Sequence, residues 1–303
     1  MAGPDRGRAV YRLQAPILES ARLPGGHHRL VVRAPVIGAA ARPGQFLHVW
    51  CHDPATIAYP PSAAVLRRPY GISRVWSQEA VEILLRVRGV GGRVLAGRRA
   101  GECLDIIGPL GHGFHISEGL RVAVIVAGGS GLAPVPFLVE TLVARGIRAV
   151  LLAGAADDEK IPFAVDRPSG TLTGPLGVQK GGQPGRATLL ALEALGAEVT
   201  FVSEAVEGLL VSEVLESHLG ELSGDGAEVM AIGPRAMLKR IVALTDGCLP
   251  VQVSLEERMA CGLGACRSCV VPVRHQEDLV YRTVCRDGPV FRGSEIAWEL
   301  LEP

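Results

Sequence analysis

Val122-Ala-Val-Ile-Val-Ala127, followed by Gly128-Gly129-Ser130-Gly131-Leu132-Ala133-Pro134, is a short apolar run that ends in a glycine-rich turn. Such a run, rich in β-branched residues and closed by glycine, reads as a buried strand. The next segment, Val135 to Arg145, is amphipathic and of helix length, and Ala149-Val-Leu-Leu-Ala153 is strand-like again. Strand, helix and strand in that order are the βαβ rhythm of a parallel sheet. Helix N-termini attract phosphates, and glycines let the backbone come close to them. Gly128, Gly129, Gly131 and Pro134 are therefore candidate nucleotide contacts, although a turn with no ligand has the same composition. A later strand, Val229-Met-Ala-Ile232, adds weight because it closes on Gly233-Pro234 and then Met237-Leu238. Ligands of open α/β sheets bind at the carboxyl ends of strands, and that assigns Gly233 and Pro234 to the same site.

Val122 to Val139 is uncharged and long enough to suggest a membrane span. The glycine turn, Pro134 and Pro136 split it, so no span is expected. The N-terminus lacks the apolar core of a secretory signal, which points to the cytoplasm. With 303 residues, 48% hydrophobic and 20% charged, the chain has room for two or three cored domains. Thirty-one basic and 31 acidic residues balance, leaving no electrostatic footprint for nucleic acid or an anionic membrane.

Upstream, Arg29-Leu-Val-Val-Arg33, Phe46-Leu-His-Val-Trp50 and Val81-Glu-Ile-Leu-Leu-Arg-Val87 alternate with glycine and proline, a spacing that favours an antiparallel barrel. Within it, Arg67-Arg68-Pro69-Tyr70-Gly71-Ile72-Ser73 brings a cation, a ring and a hydroxyl to the end of a proline-rich loop. A flavin needs those groups: an Arg for its pyrophosphate, a ring against the isoalloxazine, and amides at its edge. A solvated Arg pair beside a packed Tyr is the bland alternative. Leu84, Leu85 and Arg86, with Gly91 and Gly92 in the following Gly89-Val90-Gly91-Gly92, complete this candidate set.

Downstream, Cys261, Cys266, Cys269 and Cys285 follow C-x4-C-x2-C with a distant fourth cysteine. That is the spacing of plant-type [2Fe–2S] sites. Three thiolates so close together need a tightly curved loop with inward amides, and Gly262 and Gly264 permit the curvature. Structural zinc usually brings two short-spaced pairs, whereas only Cys266 and Cys269 form one here. Disulfides are unexpected in a cytoplasmic chain. Cys51, Cys103 and Cys248 are isolated and read as small buried apolar residues. Asp166 to Arg186, rich in Gly, Pro, Thr and Gln, reads as a surface loop.

Together these motifs resemble the electron-transfer subunit of type B dihydroorotate dehydrogenase, within the ferredoxin-reductase superfamily. Carrying the resemblance are Pro43-Gly-Gln-Phe46, Arg68-Pro-Tyr-Gly71, Arg86 to Gly92, Gly108-Pro-Leu-Gly-His-Gly-Phe114, Gly128 to Pro134, Gly233-Pro-Arg-Ala-Met-Leu238 and Leu255-Glu-Glu-Arg-Met-Ala-Cys261. It implies an FAD-binding antiparallel β-barrel over residues 1–118, a parallel-sheet NAD(P)-binding domain over 119–249, and a small [2Fe–2S] subdomain over 250–303. It further implies a hetero-oligomer in pyrimidine biosynthesis, where NAD(P)H reduces FAD and the cluster passes single electrons to an FMN-containing dihydroorotate dehydrogenase catalytic subunit. No side chain is assigned as acid, base or nucleophile, because the cofactors carry the chemistry. The same module could serve a sulfite reductase, a hydrogenase or a ferredoxin-linked reductase, or act as an electron wire without nucleotide activity.

The chain departs from that family at four places. Gly71 stands where a serine approaches the reactive flavin nitrogen, with Ser73 as the available substitute. Ile232 stands where a cysteine faces the nicotinamide, and Gly92 where a threonine commonly binds pyrophosphate. Ser203-Glu-Ala-Val-Glu-Gly208 replaces an acidic glycine-serine segment on the adenosine side. These departures lead to the expectation of slow or altered nucleotide use. The cluster must lie near both the flavin and the partner, which predicts an exposed, fairly apolar docking face around Cys266 to Val271.

Overall fold

A computed structural model describes residues 9–51, 66–157, 160–163, 189–276 and 278–301. The loop expected between Asp166 and Arg186 lies outside these residues. Six strands, β1 (Tyr11–Leu23), β2 (His27–Arg33), β3 (Phe46–Val49), β4 (Arg68–Trp76), β5 (Ala80–Arg86) and β6 (Cys103–Leu110), close a barrel in the order β1-β2-β5-β4-β3-β6. All pairings are antiparallel. Ile17, Leu30, Leu47, Ile72, Ile83, Leu85 and Ile106 fill its interior, each about 2% exposed or less. Closure removes the sheet edges that short strands would otherwise leave open.

The parallel sheet contains β7 (Val122–Gly128), β8 (Arg148–Ala155), β9 (Glu198–Ser203), β10 (Ala227–Ile232) and β11 (Val251–Ser254). Alternate residues of β7 serve opposite faces: Val124 and Val126 join one core, and Ala123, Ile125 and Ala127 the other. Both faces are covered, which is why this strand reads as a continuous apolar run. The suspected span Val122 to Val139 is thus a strand, a turn and part of a helix, Val135–Ala144. Among the described residues no helix is long and apolar enough to cross a membrane.

The cysteine-bearing piece is rooted in this sheet. β12 (Val270–His275) and β13 (Asp278–Thr283) form a hairpin, and β14 (Val290–Arg292) returns to pair antiparallel with β11. Both β11 and β14 lie beyond the expected start of the third piece at residue 250, yet they complete the nucleotide sheet. Cys269, Val271, Val284, Cys285 and Ile296 belong to the same apolar cluster as Val124, Val229 and Val253. A subdomain of this size has little core of its own, so it borrows the sheet's.

Candidate functional site

Three pieces of chain converge on β3 and β4. From the nucleotide side, Gly71 approaches the glycine turn so closely that a Cβ on it would stand 3.2 Å from Pro134 Cβ. Helix Val135–Ala144 packs along β4, with Phe137 against the barrel core and Glu140 Oε1 2.7 Å from Arg74 Nε. From the cluster side, Gly262 presses on the ring of His48 in β3. His48 is the register partner of Pro69 in β4.

The two arginines of the flavin motif have different tasks. Arg67 is committed: Nη2 lies 2.8 Å from Asp105 Oδ1, Nη1 donates to the Asp105 carbonyl at 2.8 Å, and its guanidinium lies 5.2 Å from the Trp50 ring. Burial works to raise the Asp105 carboxyl, but hydrogen bonds from Arg12 and Arg67 outweigh it and hold it below its usual range. The Arg68 side chain is exposed, and among the described residues its guanidinium donates to the Leu66 and Arg67 carbonyls at 3.3 Å each. Of the two arginines, it is the one whose guanidinium is not held by a carboxylate among the described residues. Tyr70 is partly buried, and burial raises its phenol, with the Cys51 thiol beside it. Cys51 itself is pushed up to about 11 by burial.

Other candidates are placed less directly. Ser73 is 0% exposed, and its hydroxyl donates to Glu82 Oε1 at 3.0 Å inside the barrel wall. That hydroxyl is spoken for and does not stand in for the one absent at Gly71. Leu85 points into the barrel core, and Leu84 packs with the nucleotide-domain cluster. Neither side chain is offered to a ligand. Arg86 is half-buried at the end of β5, opposite His27. Gly89 to Gly92 form the first turn of helix Gly89–Ala96, where unpaired amides collect.

On the sheet's carboxyl edge, β7 runs into the turn Gly129–Leu132 and β10 into Gly233-Pro234. Gly131 lies against the Ile232 carbonyl, and the Met237 side chain fills the angle between Gly128 and Gly233. Ile232 is 3% exposed. Ser203 ends β9 with its amide donating to Glu207 Oε2 at 2.7 Å. Gly131 is required here by contact with backbone, and Gly128 and Gly233 by the Met237 side chain, whereas Gly129 has open space around it.

At the cysteine turn, Gly262 and Gly264 adopt φ +70° and +82°, and Arg267 φ +54°. This curvature points amides at sulfur: Leu263 N and Cys266 N lie 3.4 Å from Cys261 Sγ, and Gly264 N lies 3.1 Å from Cys285 Sγ. Cys261 interacts with Cys266, and Cys269 with Cys285, giving two thiol pairs of the kind two irons require. Among the described residues no three metal-ligating side chains close on a single-ion centre. Amides aimed at thiol sulfurs suit thiolates bearing negative charge, so the donor set fits an iron–sulfur cluster. Ser268 Oγ, 3.2 Å from Cys266 Sγ, holds that thiol down to about 6, whereas burial pushes Cys285 up to about 12. Gly262→Ala is expected to cost about 2 kcal/mol from the positive φ and the collision with His48, read as a lowered Tm.

Two expectations are corrected. Val271 is 0% exposed and Val270 half-buried, so the open face comprises Leu263, Ala265, Cys266, Arg267 and Ser268, more polar than expected. Val271 was drawn inward by the shared core. Cys51 is buried as expected, but Cys103 and Cys248 are exposed, one at the start of β6 and the other in the turn after helix Arg235–Thr245.

His48 was not among the candidate residues. It is 0% exposed, and burial, followed by the Arg67 charge, lowers it to about 4, so the imidazole is neutral. No local signal marks it, because its importance comes from a turn far along the chain.

Residues 256–297, which include all four clustered cysteines, match the family model for the iron–sulfur cluster binding domain of dihydroorotate dehydrogenase B. Over 289 residues the chain is 32% identical to the dihydroorotate dehydrogenase B (NAD(+)) electron transfer subunit of Caldanaerobacter subterraneus subsp. tengcongensis, covering 94% of this chain and 98% of the relative. The chain belongs to this electron transfer subunit family. Another dihydroorotate dehydrogenase B electron transfer subunit, from Bacillus velezensis, is 30% identical, with 89% of this chain and 93% of the relative covered. The fold extends beyond dihydroorotate dehydrogenase B. The structure of an NADH-dependent reduced ferredoxin–NADP oxidoreductase superposes with a TM-score of 0.70 at 22% identity, covering 95% of this chain and 91% of that one. Phthalate dioxygenase reductase gives 0.54 at 14% identity, with 91% and 77% covered. Barrel, sheet and cysteine turn therefore follow the ferredoxin-reductase arrangement in this dihydroorotate dehydrogenase B family member.

Proposed function

We propose that this chain is an oxidoreductase subunit that takes electrons from NADH and delivers them, through FAD and a [2Fe–2S] cluster, to the FMN-containing catalytic subunit of a dihydroorotate dehydrogenase in the cytoplasm. Family membership supports the reading, and one observation carries it. The flavin-motif strand β4 has the nucleotide turn on one side and, across β3, the cluster turn on the other. When bound there, a flavin would supply the chemistry that couples a two-electron nicotinamide donor to a one-electron cluster, and this placement of the motifs would serve it.

The chain's residues bind and orient these groups. Arg68 and the amides from Gly89 to Gly92 hold the FAD pyrophosphate, while Pro69, Tyr70 and Gly71 line the ring. Gly128 to Pro134, with Gly233 and Pro234, receive the pyridine nucleotide at the strand ends. Cys261, Cys266, Cys269 and Cys285 ligate the irons. Gly71 offers no hydroxyl and Ser73 is held by Glu82, an observation that favours slow flavin reduction and, in the limit, an electron wire.

The test is an anaerobic visible spectrum of the purified protein before and after NADH and then NADPH. Slow but complete bleaching of flavin and cluster bands by NADH is the expected result; rapid bleaching would keep the relay and overturn the expectation of slow nucleotide use. Reduction by dithionite alone would replace this reading with the electron wire, and absence of the bands would refute the cofactors. Co-purification with the dihydroorotate dehydrogenase catalytic subunit tests the partner.

A further inference from the structure

The cysteine turn rests on the flavin barrel through a buried side chain whose polar atoms are incompletely satisfied among the described residues. His48 lies within β3, between Pro69 of β4 and Ile107 of β6, and is fully buried. Among the described residues neither Nδ1 nor Nε2 meets a partner at full hydrogen-bond geometry, although backbone groups of Arg67 and Cys261 lie near the ring. Buried polar groups are nearly always paired, because an unmet donor or acceptor has given up its bonds to water for nothing. The ring is where that loss has a use. A Cβ on Gly262 would stand 2.5 Å from His48 Nδ1 and 3.0 Å from Cε1 and Cγ, so only glycine lets the Cys261 turn come this close. Backbone groups of Arg67 and Cys261 both reach the ring. The imidazole thus spans from the flavin-motif strand to the first cluster ligand.

We propose that His48 tunes the [2Fe–2S] cluster from the flavin barrel, donating an imidazole N–H to the Cys261 turn and so favouring the reduced, more negative cluster. Hydrogen bonds around a cluster's sulfur ligands raise its potential by offsetting the charge gained on reduction. Because the donor is anchored in β3, the same contact holds the turn beside the flavin strand. His48 is a positioning residue: it acts through the turn and makes or breaks no bond. The inference rests on the assignment of Cys261, Cys266, Cys269 and Cys285 as cluster ligands.

The test is an EPR-monitored redox titration of the purified holoprotein, comparing wild type with His48→Leu and His48→Gln. His48→Leu is expected to lower the reduced-to-oxidised cluster ratio at fixed potential about tenfold, equivalent to about 59 mV for a one-electron couple. His48→Gln, which retains an N–H, recovers most of that shift, and the flavin midpoint stays unchanged in both. Equal cluster potentials in wild type and His48→Leu would overturn the proposal. If His48→Leu loses its cluster, pulsed EPR of histidine-15N-labelled wild type decides instead. A nitrogen coupling that His48→Gln abolishes supports the contact, and no coupling in wild type overturns it. A wild-type protein without a cluster signal would instead refute the cofactor reading on which the proposal stands.

Discussion

Cys269→Ser is expected to remove the cluster and leave the flavin. Cys269 is 1% exposed, interacts with Cys285 and lies within the apolar cluster shared with the nucleotide sheet. At neutral pH serine presents a neutral hydroxyl where a thiolate must bind iron. Changing even an outer-shell partner costs roughly 10–100-fold in metal affinity, so losing a ligand is expected to cost at least about 100-fold. The buried hydroxyl adds a penalty of about 1–3 kcal/mol if it finds no partner. Flavin binding should survive, because the barrel interior is a separate cluster built on Ile17, Leu30, Leu47 and Ile83. The measurements are iron and labile-sulfide content, visible and EPR spectra, and Tm. Retention of a full complement of iron by Cys269→Ser would refute its role as ligand. Cys103→Ser, at an exposed position, is the control and should change none of them.

The second large effect is expected at Gly131. A Cβ there would collide with the Ile232 carbonyl and stand 2.7 Å from the Ile232 carbonyl carbon and 3.0 Å from Gly233 Cα. Those atoms are all backbone, so no rotamer change relieves the clash. Gly131→Ala must push the β7 turn away from the end of β10. Overpacking of this kind costs about 1–3 kcal/mol. Displacing a substrate-positioning loop by about 1 Å can lower rate about 100-fold. NADH reduction of the flavin, followed anaerobically by stopped flow, should therefore fall by about that factor, while reduction by dithionite is unaffected. Gly129→Ala separates backbone strain from collision: Gly129 has φ +55° but open space around the missing Cβ. It should lose about 1 kcal/mol of stability with a far smaller effect on rate. Wild-type NADH kinetics in Gly131→Ala would remove this turn from the nucleotide site.

Local features were legible because their causes are local. The spacing of Cys261, Cys266 and Cys269 demanded a tight turn, and Gly262 and Gly264 take the positive φ that makes it. The run Val122 to Ala127 is apolar throughout because β7 is covered on both faces. The strand-to-turn junctions at Gly128 and Gly233 and the barrel strands around Arg29, Phe46 and Val81 follow from the same patterning.

What the sequence left open depended on partners distant along the chain. Arg67 and Arg68 are adjacent and chemically identical, and only Asp105, brought in by β6, separates the structural arginine from the available one. Ser73 looked like a spare hydroxyl until the pairing of β4 with β5 placed Glu82 beside it. Val271 turned inward because β14 returns to β11 and shares the sheet's core with the cysteine piece. His48 gained significance only when the Gly262 turn closed over it. By itself the sequence determined which elements form and which residue types can hold flavin, nucleotide and iron, since backbone conformation and donor chemistry act over a few residues. Tertiary structure alone decided which of those residues remain available and which contact joins the flavin barrel to the cluster turn, since burial and pairing are set by whatever the rest of the chain brings against them.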